Sequence, residues 1–199
     1  MNLANKLTVF RMILVPFIMI VPLFKIEGNL WGIPIAYLLI DLIFIIASIT
    51  DKLDGYIARS KNQITVFGKF LDPIADKILV LTAMIILVEY GKLPSWIPVI
   101  VLAREFLVSG FRLVAAQQEG KVIAASVWGK IKTVTQMVGI IAAYIDINTF
   151  GAFLSFNLNS GWAYFINIFQ TVMIFVSVIA TIFSGWDYMK GGKHLLKDM

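Results

Sequence analysis

Residues 33–59 read IPIAYLLIDLIFIIASITDKLDGYIAR. Apart from Asp41 this stretch is apolar over a length that crosses a hydrocarbon layer, and it then runs into Asp51 and Asp54. A second stretch, residues 68–76, reads GKFLDPIAD and opens the next apolar run with Asp72 and Asp76. An ionised carboxylate at membrane depth is costly unless it is paired or binds a metal, so four together point to a site.

The surroundings point to lipid. Of the 199 residues 59% are hydrophobic and 15% charged, with a mean hydropathy of +0.86, whereas soluble domains carry about 25% charged residues. Apolar runs predict six spans, roughly 7–24, 33–51, 70–90, 94–116, 127–147 and 162–186. The expected fold is an all-α integral membrane protein of six transmembrane helices, with residues 1–199 as one domain. Arg11 interrupts the first run and no A-x-A-like site follows it, so it reads as a span and not a signal peptide.

Basic residues orient these spans. Lys25 and Lys92 flank the short loops after spans one and three, and the other basic residues lie at the N-terminus, around 52–77 and 104–132, and from Lys190 onward. The connection 148–161 has none. Both termini are therefore expected in the cytoplasm, together with the four aspartates. The net charge of +5 follows from this topology and from anionic headgroups, and no aromatic-interleaved basic motif suggests nucleic acid. The absence of cysteine excludes disulfides and Cys-ligated metals. No internal repeat of the kind many transporters carry is visible.

Spacing turns the acids into geometry. Asp51 and Asp54 are three residues apart and Asp72 and Asp76 four, so on helices each pair shares a face. Two such faces make an oxygen-only ligand set suited to one or two hard divalent cations. Gly55, Ala58 and Gly68 remove bulk where a ligand would approach the backbone. Asp72-Pro73 reads as a helix start, or, if the helix begins near Phe67, as a kink. The alternative for the aspartates is pairing with Lys52, Arg59, Lys61, Lys69 and Lys77.

Arg104 and Arg112 are eight residues apart near the cytoplasmic end of span four, and Lys130 and Lys132 open span five. Cations beside an acidic metal site suit a ligand that carries its own anionic group. Membrane orientation alone also places bases there, and Arg104 has a structural alternative in pairing with Glu105 or an aspartate. His194, the lone histidine, sits in the polar tail and is expected to be interfacial. Asp41 has no assigned role, Asp187 is expected to pair with Lys190 or cap local structure, and Trp31, Trp96, Trp128, Trp162 and Trp186 mark span ends.

The string Asp51-x2-Asp54-Gly55-x2-Ala58-Arg59-x8-Gly68-x3-Asp72-x3-Asp76 resembles the motif of the CDP-alcohol phosphatidyltransferases, with every defining position filled. The resemblance implies a homodimeric, multi-pass enzyme of the cell membrane with a cytoplasm-facing cleft, moving a phosphatidyl group from CDP-diacylglycerol to an alcohol and releasing CMP. It implies Asp51, Asp54, Asp72 and Asp76 as ligands of Mg²⁺ or Mn²⁺, with Asp76 also the general base. Asp54, Gly55, Ala58, Arg59 and Gly68 would bind the cytidine diphosphate. The segments Asn2-x-x-Asn5-x-Leu7-Thr8-x-x-Arg11 and Ala103-Arg104-Glu105 resemble the branch of that family whose acceptor is glycerol 3-phosphate. On that likeness Thr8, Arg11, Arg104, Arg112, Lys130 and Lys132 are candidate phosphate contacts. Alternatives are another acceptor, either an inositol phosphate or phosphatidylglycerol, and a divalent cation transporter.

Overall fold

The computed structural model describes residues 3–60, 66–118, 127–155 and 161–191. Six α-helices occupy them: α1 Leu3–Ile20, α2 Ile35–Ser60, α3 Val66–Glu89, α4 Trp96–Gln118, α5 Val127–Ile145 and α6 Trp162–Gly191. They lie where the six apolar runs were expected, and among the described residues the regular structure is helical but for one small hairpin. One core draws on all six, including Val15 and Ile18 of α1, Phe44 of α2, Leu79 and Met84 of α3, Ile97 of α4, Ile140 of α5 and Ile174 of α6.

The helices run past the apolar stretches that announced them. The second continues to Ser60, so residues 51–59 form its last turns, and the sixth continues to Gly191. Of the two readings of Asp72-Pro73, the structure has the earlier helix start and not the start at Pro73: α3 begins at Val66, beside Phe67, and Pro73 lies inside it. Proline costs that helix one backbone donor, but residues 66–72 already extend the ladder ahead of it.

Glycines mark where the chain turns or crowds. A short helical turn, Val21–Phe24, ends α1, and strands β1 Asn29–Leu30 and β2 Ile33–Pro34 then pair antiparallel. Their two-residue loop, Trp31-Gly32, has φ of 54° and 81°, the left-handed pair that a tight hairpin needs. No apolar periodicity announces this hairpin. On α5, a Cβ at Gly139 would sit 2.8 Å from Ile174 Cγ1 and 3.1 Å from its backbone nitrogen. Only the missing side chain lets α5 and α6 approach so closely.

At the end of the bundle away from the aspartates, α3 closes in a Schellman arrangement. Gly91 N–H donates to Val88 O and Lys92 N–H to Leu87 O, both at 2.9 Å. Lys92 is 4% exposed. Its Nζ donates to Ala143 O at 3.1 Å and to Asp146 O, and lies 4.1 Å from the centre of the Tyr37 ring. It thereby ties the α3–α4 loop to the end of α5 and to α2.

The outside of the bundle is apolar. Phe17, Leu23, Phe106, Phe165 and Trp186 are among many large exposed hydrophobic residues, more than a water-facing surface carries in one patch. Among the described residues two segments, Asn5–Phe24 and Trp162–Lys190, are long and apolar enough to cross a membrane on their own. The other helices are interrupted by the charged and polar residues that build the interior.

Candidate functional site

Near the C-terminal end of α2 and the N-terminal end of α3, the described aspartates meet α1. Thr8 and Arg11 are three residues apart on α1 and so share a face. Thr8 Oγ1 donates to Asp72 Oδ1 at 2.6 Å, and Arg11 Nη1 lies 2.6 Å from Asp51 Oδ1. Arg11 is completely buried, which is tolerable for a guanidinium only beside a carboxylate. Asp76, one turn beyond Asp72, keeps a buried Oδ1 with no hydrogen-bond partner. Gly68 is buried on the same helix. Asp54, Gly55, Ala58 and Arg59 lie on the α2 backbone, with side chains outside the described residues, as are those of Lys52 and Lys69. Among the described residues no three acidic or histidine side chains are arranged to hold a metal ion; Asp54, the fourth carboxylate of the string, is not among them.

Asp76 also lines a cavity of about 550 Å³ between α3, α4, α5 and α6. Five basic side chains, Lys77, Arg104, Arg112, Lys130 and Lys132, line it against two acids, Asp76 and Glu105. Arg104 Nη1 donates to Glu105 Oε1 at 2.9 Å, and Nη2 donates to Ser184 Oγ. Its Nε is buried with no partner. Lys132 donates to Glu105 Oε1, and Lys77 lies 3.7 Å from Glu105 Oε2 while donating to Ser109 Oγ at 2.5 Å. Arg112 Nη2 donates to the Tyr188 hydroxyl at 2.5 Å. The Tyr188 ring lies 5.2 Å from the Arg112 guanidinium and 5.8 Å from that of Arg104, within range of a cation–π attraction.

The residues expected to contact a phosphate thus divide. Arg104, Arg112, Lys130 and Lys132 share the cavity; Thr8 and Arg11 stand on the aspartates. Arg104 has the partner that sequence left open, Glu105, and faces the cavity as well. Ser184 and Tyr188 were not foreseen, although they are four apart in the last turns of α6. Their contacts with Arg104 and Arg112 span about 80 residues of chain, which no local pattern reveals. Asp41 is buried in α2 with Oδ1 lacking a partner. The five tryptophans are all at least 38% exposed, as interfacial anchors should be. Lys61, Lys121 and His194 lie outside the described residues.

A family model described as CDP-alcohol phosphatidyltransferase matches residues 1–183. Among curated relatives, a CDP-diacylglycerol–glycerol-3-phosphate 3-phosphatidyltransferase of Bacillus subtilis is 41% identical, over 98% of this chain and 97% of its own length. Proteins of the same name from Haemophilus influenzae and Rickettsia typhi are each 36% identical. They cover 99% and 96% of this chain and 96% and 97% of their own lengths.

Proposed function

The chain belongs to the CDP-alcohol phosphatidyltransferase family, and from that premise we propose that it transfers the phosphatidyl group of CDP-diacylglycerol to the 1-hydroxyl of sn-glycerol 3-phosphate. The products are phosphatidylglycerol phosphate and CMP. One observation carries the choice of acceptor. A predominantly basic cavity is lined by both Asp76 and Arg104, and each of these residues carries a buried polar atom without a partner, Oδ1 of Asp76 and Nε of Arg104. An acceptor with a hydroxyl at one end and a phosphate at the other satisfies both.

In this reading Arg104, Arg112, Lys130 and Lys132 bind the acceptor phosphate, and Asp76 takes the proton of the attacking hydroxyl. A bond forms from that oxygen to the lipid-linked phosphorus. The bond from this phosphorus to the bridging oxygen breaks, and CMP leaves with the electron pair. Gly55, Ala58 and Gly68 leave room for the cytidine diphosphate, with Asp54 and Arg59 at its polar groups. The all-carboxylate donor set and the partnerless Asp76 Oδ1 fit a hard divalent cation, so Asp51, Asp54, Asp72 and Asp76 would hold Mg²⁺ or Mn²⁺. The cation would offset the charge of the diphosphate and of the leaving CMP. Thr8 and Arg11 orient two of those carboxylates, so we assign them to the aspartate side of the site and not to the acceptor.

The same reading makes residues 1–199 one membrane domain of six spanning helices. Both termini and the cleft face the cytoplasm, and the protein works as a homodimer in the cell membrane. Family membership replaces the cation-transporter alternative.

Purified protein in detergent, given CDP-diacylglycerol and Mg²⁺ or Mn²⁺, should release CMP with glycerol 3-phosphate and stop when EDTA is added. Inositol phosphate, serine and phosphatidylglycerol, tested separately, should give none. Release with one of these instead would keep the chemistry and move the acceptor.

A further inference from the structure

Glu105 has the wrong sign for a pocket that receives a phosphate, yet it is the point on which the pocket's bases converge. Arg104 from α4 and Lys132 from α5 both donate to Oε1, and Lys77 from α3 stands beside Oε2. All three partners and the carboxylate are largely shielded, with side-chain exposures of 12%, 9%, 30% and 14% for Arg104, Lys132, Lys77 and Glu105. With both oxygens engaged, Glu105 does not compete with Asp76 for the acceptor's proton.

Three cations drawn from three helices repel one another when no anion lies between them. Lysine and arginine also have long, mobile side chains whose freedom must be given up when a ligand is bound. A resident carboxylate settles both matters before the acceptor arrives. It holds Lys132 by one donor, leaving two of its three free. It holds Arg104 by Nη1 while Ser184 holds Nη2, so the partnerless Nε–H keeps one direction.

We propose that Glu105 is a positioning residue of the acceptor pocket, clamping Lys132 and Arg104 so that their remaining donors converge on the phosphate of the acceptor. The proposal rests on glycerol 3-phosphate being that acceptor. It makes a counterintuitive demand. Removing a negative charge beside an anion site should, on charge alone, tighten binding of the anion; if Glu105 positions the bases, removing it weakens binding.

Steady-state CMP release separates the two. Glu105→Gln is expected to raise KM for glycerol 3-phosphate about tenfold, the scale of one oriented charge-assisted contact. It should change kcat less than about threefold and leave KM for CDP-diacylglycerol unaltered, a split that general loss of folded protein would not produce. Glu105→Asp keeps the charge but withdraws the carboxylate by one methylene, so KM for glycerol 3-phosphate should rise here too. An unchanged or lower KM in Glu105→Gln, or a wild-type KM in Glu105→Asp, overturns the proposal. If Glu105→Gln does not elute as folded protein on size exclusion, the aspartate variant decides. Wild-type protein with no CMP release on glycerol 3-phosphate would overturn the acceptor reading and this proposal together. Release by the wild type with no rise in either variant's KM would overturn this proposal alone.

Discussion

Asp76 differs from its neighbours in the aspartate string by what it lacks. Asp51 and Asp72 each have an α1 partner, at 2.6 Å in both cases, whereas Asp76, which lines the cavity, keeps a buried oxygen without a partner. If that oxygen receives the acceptor's proton, Asp76→Asn should lower kcat by roughly 10²–10⁴-fold, the usual worth of a positioned base. Normal turnover in folded Asp76→Asn protein would remove the base assignment. Thr8 makes a different prediction. Thr8→Val preserves shape but deletes the hydroxyl that bonds Asp72, so Mn²⁺ affinity should fall about tenfold, as for other residues that orient metal ligands. Mn²⁺ binding followed by electron paramagnetic resonance reads this without reference to turnover, and unaltered affinity would show that Thr8 does not orient a ligand.

Among the described elements, α5 and α6 share the most extensive contact, and Gly139 lies in it against Ile174. Gly139→Ala places a Cβ 2.8 Å from Ile174 Cγ1 and should destabilise the protein by about 1–3 kcal/mol, the usual cost of overpacking. A lower Tm in detergent would register it. The loop joining α3 to α4 depends on Lys92. Burial pulls the pKa of this lysine down to about 8, a shift that Asp146 partly offsets. Below that value Lys92 is protonated folded or unfolded, and the full burial cost applies. Between about pH 8 and its ordinary value near 10.5, the unfolded chain binds the extra proton, so rising pH relieves the cost. Wild-type protein should therefore gain stability relative to Lys92→Met as pH rises through that window. Thermal denaturation of both proteins at about pH 7.5 and about pH 9.5 measures it, and a constant difference would place the lysine's pKa elsewhere.

Across the described residues, basic charge is concentrated at one end and in the interior, with Lys25, Glu27 and Glu89 exposed at the other end, and many large apolar side chains face outward. The proposed orientation puts reporters fused at either terminus in the cytoplasm and a reporter placed in the 148–161 connection on the other side. Opposite labelling would invert the topology and move the cleft away from cytoplasmic glycerol 3-phosphate. Much of this architecture was legible in the sequence because hydropathy and spacing are local: each apolar run became a helix, and the helix carrying Asp72 and Asp76 presents them one turn apart. Pro73 left two helix starts open because proline is at home in a first turn, and the residues ahead of it decided for the earlier one, near Phe67. The Trp31-Gly32 hairpin was missed because a tryptophan at positive φ has no signal in composition.

The sequence by itself determined the family, the six helices and the carboxylates of the motif, since these depend on residue type and short-range spacing. Only the tertiary structure decided how the bases are distributed. Thr8 and Arg11 resemble phosphate ligands in one dimension, but α1 packs against α2 and α3 and delivers them to Asp72 and Asp51. Arg104 and Arg112 acquire Ser184 and Tyr188 because α4 packs against α6, and Glu105 gathers bases from three helices. Hydrogen bonds reach about 3 Å, so which side chains pair is set by where helices distant in sequence come to lie against one another.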